Sequence, residues 1–173
     1  MAVSLYDLST VSFLQVLNAV DGFLEKGRNH LEAEGVDLDE IVSLRLIDDM
    51  NPFQFQVISV AHHSMGALKG LEAGEFAPPS GYGEPDYAGL QALVKEAIAT
   101  VETFDAAKVA GLEGGQLVFK LGANELPFTT ENFIMSFSLP NFYFHAATTY
   151  DFLRMKGVPL GKRDFLGGMR MGV

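Results

Sequence analysis

"LPNFYFHAATTYDFLRMKGVPLGKRDFLG", Leu139–Gly167, is the stretch from which the rest of the chain is read. Upstream of it Ile134 and Phe137, and within it Phe152 and Met155, recur at helical spacing, and Gly157 and Pro159 supply a stop. The spacing predicts a long helix from Thr129 or Thr130 to Lys156. Pro140 lies inside it; an interior proline removes one hydrogen bond, so the helix is expected to kink near Ser136 to Asn141. At about 100° per residue, His145, Thr148 and Phe152 fall within about 40° of Asn141. The opposite side carries Asn132, Ser136, Tyr143, Ala147 and Arg154. Asn141, His145 and Thr148 are therefore expected to face the protein interior, where an amide or imidazole needs hydrogen-bond partners.

Working outward, three further long helices are expected. Tyr6, Phe13, Leu17, Val20, Leu24 and Leu31 form a stripe over Leu5–Ala33, with Gly35 as a stop. Asp37 and Glu40 are spaced as a capping box for a short helix from Leu38 to Arg45. In "MNPFQFQVISVAHHSMGALKGLEAG", Asn51 is read as the cap, Pro52 as the first helical residue and Gln54 as closing the box, for a helix reaching Glu72. "FAPPSGYGEPD" reads as a loop. Asp86 opens the next helix, with Leu90, Val94, Ala97, Val101 and Phe104 on one stripe, ending before Gly111. Around Leu117, Phe119 and Leu121 the period becomes two, and a small hairpin turning at Gly122–Asn124 is expected before the last long helix. The expectation is one all-α domain over residues 1–173, a four-helix bundle with long links, a short extra helix and a small hairpin.

Composition excludes several functions. The net charge of −10 opposes a nucleic-acid backbone or an anionic membrane surface as partner. No apolar run approaches the roughly 18–20 residues of a membrane span, and the start has no basic and apolar signal segment, so a cytoplasmic protein is expected. Without cysteine there is no disulfide, no thiolate metal site and no thiol nucleophile. Nucleophile-elbow, P-loop and dinucleotide motifs are absent.

Four histidines remain: His30, His62, His63 and His145. On the second long helix, Gln56 and His63 fall at the margin of the apolar stripe, whereas His62 falls on the far side and is expected to be solvated. A ligand pocket of Gln56, His63, Asn141, His145 and Thr148 follows, inside the bundle where such folds place ligands. The plainer alternative is a core histidine satisfied by hydrogen bonds. A divalent metal, Zn or Ni, on His145 and His63 would need a carboxylate such as Asp21, Asp48 or Asp49 to join them.

The segment Leu139–Gly167, with "SLYDLSTVSFLQVL" and "RLIDDMNPFQFQV", resembles an uncharacterised DUF-type family of the DinB/YfiT-like superfamily of four-helix bundles. The resemblance spans nearly the whole chain and implies a DinB-like bundle, often assembled as a homodimer. In DinB-like relatives one histidine of the second long helix and an H-x-x-x-H of the last bind a divalent metal, and some relatives are thiol-dependent transferases or hydrolases. His145 matches the second histidine of that pair, Asn141 stands at the first, and the remaining ligand falls near Gln56. The resemblance thus leaves three readings: a small-molecule or interaction protein lacking the complete metal site, a metal-dependent enzyme using His145 and His63, or a purely structural homodimer. Leu160, Phe165 and Leu166 are expected to anchor the tail on the chain itself.

Overall fold

The computed structural model describes residues 3–172. The chain is mostly helical with a small three-stranded sheet. The first long stretch is a wide, π-type turn at Asp7–Val11 followed by α1, Ser12–Ala33. After it α2, Leu38–Ser43, is capped by the Asp37 carboxylate, which accepts from Asp39 N–H. The second stretch comprises α3, Phe53–Ala61, a wide turn at His62–Gly66, and α4, Ala67–Ala73. It ends at Gly74, whose φ of 73° is a conformation that costs glycine least. Strand β1, Glu75–Phe76, precedes the third stretch, α5, Tyr87–Glu102. Then follow α6, Ala106–Ala110, and the hairpin of β2, Gln116–Leu121, with β3, Asn124–Thr129. The last long stretch is α7, Thr130–Phe133, a wide turn at Ile134–Ser138 and α8, Leu139–Met155; α9, Lys162–Leu166, closes the chain.

Side-chain pairs give the directions. Phe13 meets Phe142 and Phe23 meets Tyr150, so α1 and α8 run parallel. Phe53 packs on Phe152 near one end while His63 O accepts from Ser138 Oγ near the other, so the second and last stretches are antiparallel. Phe53 stacks on Tyr87, and Met65 lines a cleft with Leu93, so the second and third stretches run together. Thr10 bonds Phe104 O, and Arg28 approaches Gln91, so α1 and α5 are antiparallel. Each long stretch thus touches two others, and Phe13, Phe53, Tyr87, Phe142 and Phe152 fill the space they share. The tail does anchor on its own chain: Gln15 Nε2 donates to Leu166 O, and Lys26 pairs with Asp164.

Several local expectations are corrected. Pro52, not Asn51, is the residue before the helix, and Gln54 Nε2 donates to Pro85 O instead of closing a capping box. The third helix does not run on towards Gly111; it breaks at Thr103–Asp105, where the Asp105 carboxylate accepts from Lys108 N–H and starts a new turn. Strand β1 pairs in parallel with β2, Glu75 opposite Val118 and Phe76 opposite Phe119; two residues show no alternation from which to expect a strand. The hairpin turns where expected, with Leu121 opposite Asn124.

Pro140 is accommodated by a change of helical type. The wide turn at Ile134–Ser138 comes just before it, and the proline then falls in the first turn of α8, where its missing N–H leaves no gap. All three wide turns contain serine: Ser9, Ser64, and Ser136 with Ser138. Widening the turn frees carbonyls, and these hydroxyls occupy several of them: Ser9 Oγ donates to Leu5 O at 2.6 Å and Ser64 Oγ to Val60 O at 2.7 Å.

Candidate functional site

The wide turns of the second and last long stretches lie against each other, and the site forms between them. Ser138 Oγ donates to His63 O at 2.7 Å across the gap, a buried bond joining residues 75 apart in sequence. Two turns further along, Gln56 reaches His145. The amide is oriented by its own Nε2, which donates to Asn51 O at 2.9 Å. Its Oε1 can only accept, so the 2.7 Å contact with His145 Nδ1 requires the proton on Nδ1. The other ring nitrogen, Nε2, therefore keeps the lone pair of a neutral imidazole.

His63 lies beside this pair. Its ring is nearly parallel to that of His145, with centroids 5.9 Å apart, and Phe76 and Phe137 flank it. His63 Nδ1 is enclosed and has no hydrogen-bond partner among the described residues. Burial, reinforced by the neighbouring His62 and His145, holds His63 down to about 3, and burial alone holds His145 down to about 4. Both are neutral at physiological pH.

The five residues expected to form the pocket separate into two groups. Gln56, His63 and His145 come together. Asn141 and Thr148 turn their donors onto their own helix: Asn141 Nδ2 onto Phe137 O and Thr148 Oγ1 onto Phe144 O, each at 2.7 Å. The buried face of α8 is also rotated from the expected one. Phe142, Ala146, Thr149, Phe152 and Leu153 are its inaccessible residues and Thr148 is nearly so. Thr148 and Phe152 are thus buried as expected, whereas Asn141 and His145 sit at the margin and Met155, expected inside, is 53% exposed. A wide turn adds a residue without adding a full turn, so a stripe extrapolated from Ile134 and Phe137 across it is out of phase.

His62 is also corrected. It is not a solvated residue of the outer face. Its Nε2 meets Ala77 O at 2.7 Å, its Nδ1 meets Tyr82 Oη at 3.1 Å, and Phe76 packs on its ring at 4.5 Å. The loop after β1 folds back over it, and burial lowers its pKa. The "HH" pair in the chain was the available signal; the loop that covers the first of them has no helical period to read.

A divalent metal does not fit this donor set. His63 and His145 supply two imidazoles, both nitrogens of His62 are already engaged, and Gln56 is an amide committed to His145. Among the described residues no three His, Asp or Glu side chains converge as a metal site would require, so neither Asp21, Asp48 nor Asp49 completes one with His63 and His145.

Among the described residues no helix is long and apolar enough to cross a membrane. A family described as "Domain of unknown function (DUF1993)" matches residues 5–166. The crystal structure of a DinB family member protein from Shewanella denitrificans superposes with a TM-score of 0.81 at 27% identity, covering 98% of this chain and 95% of that one. No curated protein matches the chain.

Proposed function

The chain belongs to the DUF1993 domain family, a DinB-like family, and on that premise we propose that it is a four-helix bundle whose polar spot receives a small molecule rather than a metal ion. The observation that supports this reading is the Gln56–His145 pair: the amide fixes the imidazole tautomer and leaves Nε2 as a neutral acceptor at the margin of the core. The imidazole has aromatic neighbours. Phe55 and Phe144 meet the His145 ring edge-on, and Phe144 is 56% exposed. A ligand suited to this spot has a hydroxyl or N–H to give to Nε2 and an apolar body to lie on Phe144. The exposed Tyr143, Phe144 and Met155 on the outer side of α8 also suit association of two copies.

The alternative is a divalent-metal enzyme using His63 and His145, whose rings are adjacent but whose donor set falls short of a metal site. Metal analysis of tag-free protein separates the two. The expected result is far less than one equivalent of zinc or nickel, with an NMR fragment screen moving the His145 side-chain signals and no others in common. Stoichiometric metal that is lost in His145→Ala would overturn the proposal in favour of the enzyme. Sedimentation of Phe144→Asp tests the association: a dimer that becomes a monomer is expected, and an unchanged sedimentation coefficient would remove that face.

A further inference from the structure

A cleft lies away from the Gln56–His145 pair and shares no lining residue with it. It measures about 500 Å³, within the range of small-molecule sites, and lies between the second long stretch and α5, beside the loop Gly81–Pro85. Met65, Leu93 and Pro85 supply apolar wall, and Lys69, Glu96 and Tyr82 the polar groups.

The polar groups are arranged by sign. Ala77 O can only accept, so His62 Nε2 holds the ring proton and Nδ1 holds the lone pair. Tyr82 therefore gives its phenolic proton to His62 Nδ1, at 3.1 Å. With that proton committed, the phenolic oxygen can only accept from anything in the cleft. Burial, and after it the charge of Glu96, hold the Tyr82 phenol in its protonated form, and Glu96 itself adds a second acceptor to the cleft lining. Among the described residues Lys69 has no carboxylate within ion-pair distance, and Glu96 no cation. Tyr82 and Glu96 thus offer acceptors and negative charge to the cleft, and Lys69 offers positive charge.

We propose that this cleft binds a small zwitterion of the α-amino-acid kind, its ammonium on Tyr82 Oη and Glu96, its carboxylate on Lys69, and its apolar side chain against Met65 and Leu93. A ligand with only one of the two charges leaves the opposite group unpaired. The relay from Ala77 O through His62 to Tyr82 is what makes the phenol an acceptor, so Tyr82 is a positioning and recognition residue, and the loop is held in place by Gln54 donating to Pro85 O.

The test uses the full chain and four compounds: L-leucine, the dipeptide leucyl-leucine, isoamylamine and 4-methylpentanoate, titrated to millimolar concentration by calorimetry and by ¹H–¹⁵N NMR. At least one zwitterion is expected to bind saturably, with shifts centred on Met65, Lys69, Tyr82 and Glu96, and each single-charge analogue to bind at least about tenfold more weakly. Lys69→Gln, an exposed change that spares the core, should abolish the preference for leucine over isoamylamine while leaving the melting temperature unchanged. Tyr82→Phe should weaken the zwitterion about tenfold. Absence of saturable binding by both zwitterions, equal binding of leucine and isoamylamine to the unmodified protein, or shifts centred on His145 would each overturn the proposal. Failure of the zwitterions to bind, or equal binding of leucine and isoamylamine, leaves the metal content and the fragment screen at His145 unaffected, so the two readings fail separately.

Discussion

Acidifying the protein from about pH 7.5 to about pH 5 should destabilise it by an amount set by two buried imidazoles. In the folded chain His63 is held down to about 3 and His145 to about 4; in the unfolded chain each returns to 6.5. Between those limits the unfolded state binds protons that the folded state refuses, so stability rises with pH. It is complete above about 6.5 and is lost as pH falls towards the folded values. At about pH 5 both rings remain neutral in the folded protein. The loss per ring is then the distance from 6.5, about 1.5 pH units, multiplied by about 1.4 kcal/mol per unit, or about 2 kcal/mol. Together the two contribute roughly 4 kcal/mol, a large fraction of the stability of an ordinary domain. His62, also lowered by burial, adds in the same direction. The carboxylates held low by hydrogen bonds, Glu75 and Glu131 among them, start from 4.5 and so act mainly below this window. The chain has no tryptophan, so urea unfolding followed by far-UV circular dichroism at closely spaced pH values is the suitable assay. His63→Leu and His145→Gln should each reduce the slope of stability against pH by about one proton. A flat profile between pH 7 and 5, or variants with the slope of the parent, would refute the argument. So would an imidazole of His63 or His145 that titrates near 6.5 by NMR in the folded state.

Three other perturbations test single contacts by the same unfolding assay. Gln56→Leu leaves His145 Nδ1–H without its acceptor and should cost about 1–3 kcal/mol, whereas a loss below about 0.5 kcal/mol would mean the pair is not formed. Ser138→Ala removes the donor to His63 O across the two wide turns and should cost about 1–2 kcal/mol, with faster amide exchange around Ser64 and Met65; unchanged exchange would contradict the coupling of the turns. At Gly27 a Cβ would lie 2.8 Å from Tyr87 Oη and 3.1 Å from the Leu153 methyls, so Gly27→Ala should destabilise by about 1–3 kcal/mol despite alanine's better helix propensity; a stabilised variant would mean that α1, α5 and α8 are not in close contact there.

The long helices were legible in the sequence because a helix is a local object. Its hydrogen bonds span four residues, so apolar spacing and end residues such as Asp37, Gly74, Asp86 and Gly157 carry most of its specification. The hairpin was legible for a similar reason, its period of two being broken at Gly122. Proline chemistry at position 140 announced a departure from regular helix, though not that it would be a widened turn.

The site was legible only in part, and the reason is phase. Gln56, His63 and His145 could be selected as inward-leaning polar residues, but an assumed 100° per residue fails across a π-type turn, and both the second and last long stretches contain one. Met155, expected inside, is therefore exposed; Asn141, expected among the ligands, instead closes its amide on Phe137 O of its own helix.

What the amino-acid sequence determines by itself, then, is the set of helices, their ends, the hairpin and which residue types are available for chemistry, since these follow from interactions between near neighbours. Tertiary structure decides that Gln56 meets His145 across 89 residues, that Ser138 satisfies a carbonyl freed at His63, and that a loop from Ala77 to Tyr82 covers His62 and opens a charged cleft beside it. Those contacts join distant segments with no periodic signal, and they exist only once the packing of large side chains such as Phe53, Phe76 and Phe142 has set the helices against one another.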